Sequence, residues 1–519
     1  MSESGQPGRA DAATVRPMVT VPNPVADVPA GLPPAQVCEQ ARLSRDSRFD
    51  GLFYTAVTST GIYCRPVCPA PAPRAANVRY YASAAAAEAA GFRPCLRCRP
   101  ELAPAAGPWR RGDALLARAL ALIEDGALAQ GPLSGLADRL HLGERQLRRL
   151  FSERLGASPV AVHGTRRLLF AKQLLTETAM PVTEVALAAG FGSLRRFHTV
   201  FRSAYRMPPG ALRRRGDEGD AAADGALELR LAYRPPYDFG AILGFLGQRS
   251  LAGLDAVVDG GYERCLGPSA RCRIEPWGGA DPALRLRLRG VAPGALQGVV
   301  ATVRRVFDLD AEPPAVAAVL AGDPLLATSV QRHPGLRLPG AWEGFETAVR
   351  AVLGQQVSVA AARTLAHRLL TRFGTPLPGG ARLFPDAAAL LAADLAAVGL
   401  TRARVATLRS MATALLEGRV DFAPGQSLDG FVDRWTALPG IGAWTAHYLA
   451  LRVLGHPDAF PADDLVLRRA AAGGAAPATG RALAGRAQAW RPWRAYAAVH
   501  LWHRATPVRV PPEEQRRRA

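Results

Sequence analysis

Two pairs of cysteines near the amino-terminal end constrain the fold of this chain more than any other feature of its sequence. Cys64 and Cys68 are separated by three residues, Cys95 and Cys98 by two, and twenty-six residues lie between the pairs. This spacing is typical of a tetrahedral site in which four thiolates bind one Zn²⁺ ion. The seven cysteines are an odd number in a chain without a signal peptide, so we do not expect a disulfide framework. The spacing alone favours a closed site that only stabilises a small domain.

The length and charge of the chain point to several domains that meet nucleic acid. A chain of 519 residues exceeds what one hydrophobic core usually supports, so about three to five domains are expected. The net charge of +20 is spread along the chain, which favours DNA or RNA as the partner, although a GC-rich genome would also enrich arginine and alanine. No window is apolar enough to span a membrane. We therefore expect a soluble, cytoplasmic protein without a membrane partner.

Changes in residue pattern divide the chain into segments. Apolar residues recur at helical spacing from about 113 to 215, alternate in LRLRLR at 284–289 as in a half-exposed strand, and return to helical spacing beyond Trp342. The predicted fold class is multidomain: a small α/β zinc domain, an all-α domain, an α+β domain and a second all-α domain. The expected bounds are a disordered arm at 1–34, the zinc domain at 35–107, the first helical domain at 108–215, a linker at 216–225, the α+β domain at 226–335 and the last domain at 336–512.

The residues around the cysteines favour more than a structural role. The segments GIYCRPVC at 61–68 and GFRPCLRC at 91–98 closely resemble the zinc domain of the Ada methylation-response proteins. In that family the first cysteine of the set both binds zinc and irreversibly accepts a methyl group from a DNA methylphosphotriester, and that position is Cys64. Methylation removes one negative charge where DNA approaches, so the resemblance implies that DNA affinity rises after repair.

Two similar helical units follow the cysteines. Each unit is a short helix, a turn and a basic helix, and together they resemble the AraC-type domain that follows the zinc domain in Ada. We expect this domain to bind promoter DNA and to regulate transcription, with RNA polymerase as a further candidate partner. A solvated basic surface without DNA contacts is the alternative. The predicted DNA-contacting arginines are Arg145, Arg148, Arg149, Arg195 and Arg196.

The carboxyl-terminal half contains a helix-hairpin-helix motif followed by two acids. In the motif LPGIGAWTA at 438–446, Gly440 and Gly442 allow a phosphate to approach the backbone. Asp463 and Asp464 follow about twenty residues later, and either could instead be the N-cap of the next helix.

With YRPPYDF at 233–239 and WRPWRAYA at 490–497, these segments resemble the AlkA-type DNA-3-methyladenine glycosylases. That family combines a TBP-like α+β domain with a helical domain, and its catalytic aspartate falls on Asp464. The implied reaction is excision of a flipped alkylated base such as 3-methyladenine or 7-methylguanine, without a cofactor in the glycosylase. The substrate pocket is predicted to contain Phe245, Trp444, Tyr448, Asp463, Trp502 and His503. As isolated aromatic residues, four of them would more often belong to the core: Phe245, Trp444, Tyr448 and Trp502.

Two positions depart from the AlkA pattern. Gln356 stands where that pattern has a leucine wedge that fills the gap left by the flipped base, so we assign Gln356 to DNA binding. His503 stands at a pocket position that is tyrosine in the pattern. A polar wedge can still intercalate, but both departures bear on the substrate range.

The sequence lacks the defining residues of two other classes of DNA repair enzyme. An endonuclease III-like lyase would have a lysine at the position of Trp444 and an iron–sulfur cluster on late cysteines, but no cysteine follows Cys272. The Pro-Cys-His-Arg motif of the O6-alkylguanine methyltransferases is also absent. We expect a monomeric DNA repair enzyme with one Zn²⁺. The alternative is a methylation-responsive activator whose glycosylase half is only a DNA-binding module.

Overall fold

The computed structural model of the chain describes residues 32–104, 114–124, 126–213, 226–473 and 476–505. Almost all of the expected arm at 1–34 and the whole expected linker at 216–225 lie outside the described residues. The predicted multidomain fold class is confirmed, with a small sheet beside the cysteines, a helical segment, a larger sheet and a second helical segment. Every helix in these ranges is too short or too polar to cross a membrane.

The first unit is a four-stranded sheet with two helices. Its elements are α1 (Ala35–Ser44), β1 (Tyr54–Val57), β2 (Ile62–Cys64), β3 (Val78–Tyr81), α2 (Ala84–Ala89) and β4 (Arg93–Pro94). The strand order is β3-β1-β2-β4, in which only the β2–β4 pair is parallel. Ser83 caps α2 by accepting a hydrogen bond from the Ala86 amide.

The second unit is entirely helical among its described residues. Its elements are α3 (Ala114–Glu124), α4 (Ala127–Gln130), α5 (Leu133–Arg139), α6 (Glu144–Leu155), α7 (Pro159–Glu177), α8 (Val182–Ala188), α9 (Leu194–Tyr205) and α10 (Pro209–Leu212). The pairs α5–α6 and α8–α9 are the two predicted helix-turn-helix motifs, and α7 connects them.

The third unit is an antiparallel sheet with strand order β5-β9-β8-β7-β6. Its elements are β5 (Leu227–Ala232), α11 (Phe239–Gly247), β6 (Asp255–Val258), β7 (Gly261–Cys265), β8 (Arg271–Pro276), β9 (Ala283–Arg289) and α12 (Leu296–Val306). The predicted alternation in β9 is present: Leu284, Leu286 and Leu288 are buried, and Arg285 and Arg287 on the other face are half-buried.

Among the described residues, the fourth unit contains more helices than any other unit. Its elements are α13 (Pro313–Leu320), α14 (Pro324–Arg332), α15 (Gly344–Leu353), α16 (Val359–Phe373), β10 (Thr375–Pro376), β11 (Arg382–Leu383), α17 (Ala387–Ala392), α18 (Arg402–Leu416), α19 (Leu428–Thr436), α20 (Ala443–Arg452), α21 (Leu465–Ala472), α22 (Gly480–Arg486) and α23 (Arg494–Ala505). The β10–β11 hairpin was not expected in a segment predicted to be all helix. Helices α13 and α14, inside the expected 226–335 domain, pack their buried side chains into the core of this helical unit.

One hydrophobic cluster joins the second helix-turn-helix motif to the larger sheet. It includes Phe197 and Phe201 of α9 together with Leu229 of β5 and Leu286 of β9. The first motif instead has a separate core built from α3, α5 and α6 with neighbouring residues. The second motif is therefore part of the same packed body as the sheet that precedes the last helical unit.

Candidate active site and zinc centre

The small sheet brings the two cysteine pairs together. Strand β2 ends at Cys64, and its parallel partner β4 ends one residue before Cys95, whose amide donates to the Tyr63 carbonyl at 2.9 Å. The four sulfur atoms lie within 4.8 Å of one another. Tetrahedral zinc with bonds of about 2.3 Å requires sulfurs about 3.8 Å apart, so this donor set fits one Zn²⁺ ion.

The four cysteines differ in burial. Cys95 and Cys98 are buried, whereas Cys64 and Cys68 are only half-buried. The amide of Arg65 donates to the sulfur of Cys98 at 3.3 Å, and the Arg65 guanidinium donates to Asp50 at 2.8 Å and to the Cys98 carbonyl at 3.0 Å. Cys64 and Cys68 are thus more accessible than Cys95 and Cys98, which are buried and, at Cys98, bound by Arg65.

Arg234 links the zinc centre to the third unit. Its side chain is completely buried, and its guanidinium donates to the carbonyls of Asp50 at 2.9 Å, Pro104 at 3.1 Å and Asp310 at 3.0 Å. Two of these acceptors belong to the cysteine-containing unit, and the Asp50 side chain binds Arg65 next to Cys64. A buried guanidinium therefore connects the two halves of the chain.

The predicted DNA-contacting arginines lie on exposed helix faces. Helices α6 and α9 bury one face each, through Leu147, Phe151 and Leu155 and through Phe197, Phe201 and Tyr205. Their exposed faces carry Arg145, Arg148 and Arg149 on α6 and Arg195 and Arg196 on α9. Both helices thus separate an apolar face from a basic one.

The two basic helices differ in their ion pairs. Arg148 pairs with Glu144 at 3.2 Å and Arg149 with Glu153 at 3.7 Å, along the surface of α6. Within the described ranges Arg195 and Arg196 form no ion pair. The basic face of α9 is therefore less neutralised than that of α6.

Asp464 lies where four N–H groups converge. Its Oδ2 accepts from Trp444 Nε1 at 2.9 Å, and its Oδ1 accepts from Trp502 Nε1 at 3.3 Å. Oδ1 also accepts from the amides of Val466 at 2.9 Å and Leu467 at 3.0 Å, which makes Asp464 the N-cap of α21. The N-cap and the predicted catalytic acid are one residue, and the cap fixes the orientation of the carboxylate.

Aromatic side chains from three helices surround this carboxylate. Trp444 stacks on Tyr448 with ring centroids 5.5 Å apart, and Tyr448 meets Trp502 edge-on at 6.3 Å. Phe245 of α11 lies 6.5 Å from Trp502. The structure thus brings together four of the predicted pocket residues around Asp464, although they are up to 257 positions apart in sequence.

Two arginines belong to this pocket and were missed by sequence reasoning. The guanidinium groups of Arg249 and Arg452 lie 3.7 Å and 4.6 Å from the centre of the Phe245 ring. Arg452 also donates to the Tyr448 hydroxyl at 2.7 Å. Burial alone would raise the pKa of Tyr448, but the charges of Arg452 and Arg249 outweigh burial, and its pKa is lowered. No local motif marks either arginine. Both reach Phe245 only because the segment around α11 packs against α20.

The two remaining predicted pocket residues contact other groups. Asp463 is exposed, and a Cβ atom added at Gly480 would lie 1.8 Å from its Oδ1, so its carboxylate faces the start of α22. His503 follows Trp502 on α23, and its ring lies 4.4 Å from that of His333. Burial, and next the His333 ring, lower the pKa of His503. The pocket roles of both residues remain predictions.

The predicted DNA-binding hairpin connects α19 to α20. Gly440 has a φ of +81°, and a Cβ atom there would lie 1.9 Å from Thr407 Oγ1. Glycine is therefore required by both backbone conformation and space. Gly442 is the N-cap residue of α20. Gln356 is exposed, with a φ of +59°, in the turn between α15 and α16.

Comparison with known families identifies each unit. The family models described as the metal binding domain of Ada, the helix-turn-helix domain, the AlkA N-terminal domain and the HhH-GPD superfamily of base excision DNA repair proteins match residues 37–101, 136–215, 228–343 and 349–478. The four matches follow one another along the chain in the order in which the structure places the four units.

Two relatives each match about half of the chain. The chain is 35% identical to DNA-3-methyladenine glycosylase 2 of Escherichia coli K12, over 53% of this chain and 96% of that protein. A solved structure of a 3-methyladenine DNA glycosylase from Archaeoglobus fulgidus matches 53% of this chain and 97% of that chain, with 22% identity and a TM-score of 0.47.

One relative matches across nearly the whole chain. It is the probable bifunctional transcriptional activator/DNA repair enzyme AlkA of Mycobacterium tuberculosis H37Rv, with 40% identity over 90% of this chain and 95% of that protein. The chain therefore belongs to the family of bifunctional transcriptional activator/DNA repair enzymes in which an Ada-type zinc and helix-turn-helix half precedes an AlkA-type glycosylase half.

Proposed function

We propose that this protein excises alkylated bases from duplex DNA by hydrolysing the N-glycosidic bond, with Asp464 as the catalytic carboxylate. The observation that carries this proposal is the carboxylate itself, bound by the indole N–H groups of two tryptophans in an aromatic pocket. A carboxylate oriented in this way is suited to stabilise positive charge that develops beside it. The proposed substrates are alkylated purines: 3-methyladenine, which the names of the glycosylase relatives carry, and 7-methylguanine, which shares its cationic character.

In the proposed reaction the damaged nucleotide is flipped out and its base enters beside Trp444, Tyr448, Trp502 and Phe245. Alkylated purines are cationic, and aromatic faces attract cations. The bond between C1′ and the base nitrogen breaks, and its electron pair leaves with the base. Asp464 stabilises the resulting cationic sugar, and water adds to C1′ with loss of a proton. Because Trp444 replaces the lysine of a lyase, the products are the free base and an abasic site, and this step uses no cofactor.

The hairpin and the neighbouring turn supply the proposed DNA contacts of this half. The backbone at Gly440 and Gly442 and the first amides of α20 bind a phosphate, since N–H groups at a helix N-terminus favour an anion. Gln356 inserts into the space that the flipped base leaves. Its exposure and left-handed backbone support this role.

In the amino-terminal half we propose Cys64 as a methyl acceptor. Its sulfur attacks the methyl carbon of a methylphosphotriester, the carbon–oxygen bond breaks, and the phosphodiester leaves with the electron pair. Cys64, Cys68, Cys95 and Cys98 would hold one Zn²⁺ ion, which would keep the thiol deprotonated at neutral pH. The partial exposure of Cys64, compared with buried Cys95 and Cys98, supports its access to DNA. Each chain carries out this transfer once.

The two helix-turn-helix motifs are proposed to bind promoter DNA after methylation. Helix α7 has nineteen residues and therefore spans about 28 Å, close to the roughly 34 Å repeat of B-DNA. This length supports placing α6 and α9 in successive major grooves. We further propose a cytoplasmic monomer that contacts RNA polymerase as an activator, with functional domains at 35–107, 108–215, 226–335 and 336–512.

Release of free bases from methylated duplex DNA by the purified full chain tests the glycosylase proposal. We expect 3-methyladenine and 7-methylguanine to be released. A folded chain that binds DNA and releases neither base would overturn the proposal. The exposed basic faces of α6 and α9 would then favour the second candidate, an activator whose glycosylase half only binds DNA.

A further inference from the structure

Gln355, the residue before the proposed wedge, connects two elements that the proposed function brings to DNA. Its Nε2 donates to the carbonyl of Gly440 at 3.0 Å and to Thr445 Oγ1 at 3.1 Å. Gly440 lies in the hairpin and Thr445 in the first turn of α20. The Gln355 side chain therefore joins two regions by hydrogen bonds. One is the turn between α15 and α16 that carries Gln356, here called the wedge turn, and the other is the predicted phosphate site.

A third element holds the same junction. Arg404, in the first turn of α18, donates to the Gln355 carbonyl. Thr407, one turn further along α18, packs against Gly440 so closely that no Cβ atom fits there. The wedge turn, the hairpin and α18 thus meet around Gln355 and Gly440.

The turn at Gln356 is strained, and the junction supports it. A non-glycine residue at a φ of +59° is uncommon and costs free energy, so such a conformation persists only where surrounding contacts enforce it. The hydrogen bonds that the preceding residue, Gln355, forms with Gly440, Thr445 and Arg404 are such contacts. They hold the backbone that projects the exposed Gln356 side chain.

We propose that Gln355 is a positioning residue that fixes the Gln356 wedge relative to the phosphate-binding hairpin. Binding of the DNA phosphate by the hairpin and insertion of Gln356 into the space left by the flipped base then occur together. This inference rests on the proposed glycosylase function. Gln355 acts through Gln356 and the hairpin and not on the bond that breaks. It should therefore affect extrusion of a stacked base and not cleavage of one that is already unstacked.

The test compares two substrates with the full-length protein. One is an oligonucleotide duplex with a single paired 7-methylguanine, and the other carries the same base in a bulge, where extrusion costs less. Gln355→Met keeps the length of the side chain and removes its donor. With the paired duplex we expect the single-turnover release rate to fall roughly tenfold, since two hydrogen bonds are lost. With the bulge it should stay within about twofold of wild type. Equal losses on both substrates would overturn the proposal, because a general structural defect predicts them.

A double-mutant cycle gives an independent readout. If Gln355 works by placing the wedge, Gln355→Met should cost less than about twofold on the paired duplex once Gln356→Ala has removed the wedge. Losses that multiply independently would contradict the mechanism. Thr445→Val removes one of the two bonds without altering the turn, and Thr445→Ser restores the hydroxyl, so this pair should show a partial loss and its rescue even where Gln355→Met folds poorly.

Thermal unfolding of every variant monitors the fold. The outcomes separate the two proposals. Wild-type protein that releases no base from either substrate contradicts the glycosylase function, whereas active wild type with an unaffected Gln355→Met contradicts only the positioning role.

Discussion

The two side chains proposed to react, Cys64 and Asp464, are held in place by different means. Cys64 ends a short strand, and its sulfur lies within 4.8 Å of three other sulfurs, an arrangement that a metal ion would hold together. Asp464 caps a helix and accepts hydrogen bonds from two indoles and two backbone amides, so its geometry depends on the protein alone. The proposed chemistry differs in the same way: Cys64 forms a permanent bond and is consumed, while Asp464 stabilises charge and is used again. Fixed dipoles suit a repeated electrostatic task, and a metal-held thiolate suits a single transfer.

The largest expected effect is the loss of methyl transfer in Cys64→Ala. Uptake of labelled methyl from DNA methylphosphotriesters should fall from about one group per chain to none, because no other thiolate takes the place of the acceptor. Base release should be unchanged, since Cys64 does not contact the glycosylase pocket. Cys265→Ala, outside the zinc set, is the matched control and should retain uptake. Retained uptake in Cys64→Ala would assign the acceptor to another cysteine.

Asp464→Asn should lower single-turnover base release by about a hundredfold or more, because the charge that stabilises the sugar cation is removed. Asparagine is also a good N-cap, so α21 should remain intact. Asp386→Asn is the control, since Asp386 caps α17 in the same way outside the pocket. Methyl uptake at Cys64 should be normal in both variants. A similar loss in the two variants would indicate a capping effect and not catalysis.

The indole donors should have smaller and unequal effects. Trp444→Phe keeps an aromatic ring and removes the 2.9 Å hydrogen bond, so release should fall roughly fivefold. Trp502→Phe removes a longer bond of 3.3 Å and should cost less. Single-turnover rates on one substrate rank the variants. The opposite ranking would show that Trp502 acts mainly through contact with the base.

The smallest expected effect is that of zinc removal on base excision. A chelator should abolish methyl uptake but leave base release within about twofold, because all four donors to Asp464 lie in the carboxyl-terminal half. The unfolding midpoint should fall by a few degrees, as buried Arg234 loses two acceptors. A larger drop in excision would mean that the two sites are coupled through Arg234.

Local patterns in the sequence were sufficient to predict the parts of this molecule whose residues are close together in the chain. The cysteine spacing predicted a cluster that the structure forms, and the alternation at 284–289 predicted β9. Gly440 likewise follows a local signal, because its positive φ and its close approach to Thr407 leave no room for a side chain. In each case the signal is a short pattern of residue types, even where the contact that it implies joins segments farther apart in the chain.

Interactions between distant segments could not be predicted in this way. Arg234 and Asp50 are 184 positions apart, and Gln355 and Gly440 are 85 apart. Their hydrogen bonds exist only because separate elements dock, and a lone arginine or glutamine carries no periodic signal. The pocket arginines Arg249 and Arg452 have the same origin. The adjacent acids Asp463 and Asp464 were both assigned to the pocket, but only Asp464 contacts its tryptophans, while the Asp463 carboxylate faces the start of α22.

The hydrophobic cluster shared by α9 and the larger sheet has a consequence for synthesis on the ribosome. Phe197 and Phe201 leave the ribosome before the strands that complete their core, whose last members lie near Leu309. Domains generally fold as units from the amino terminus. The first helix-turn-helix motif, with its separate core, can therefore mature early, while the second must wait for the sheet of the glycosylase half. A nascent chain completes the packing around its second helix-turn-helix motif only after much of the repair enzyme has been translated.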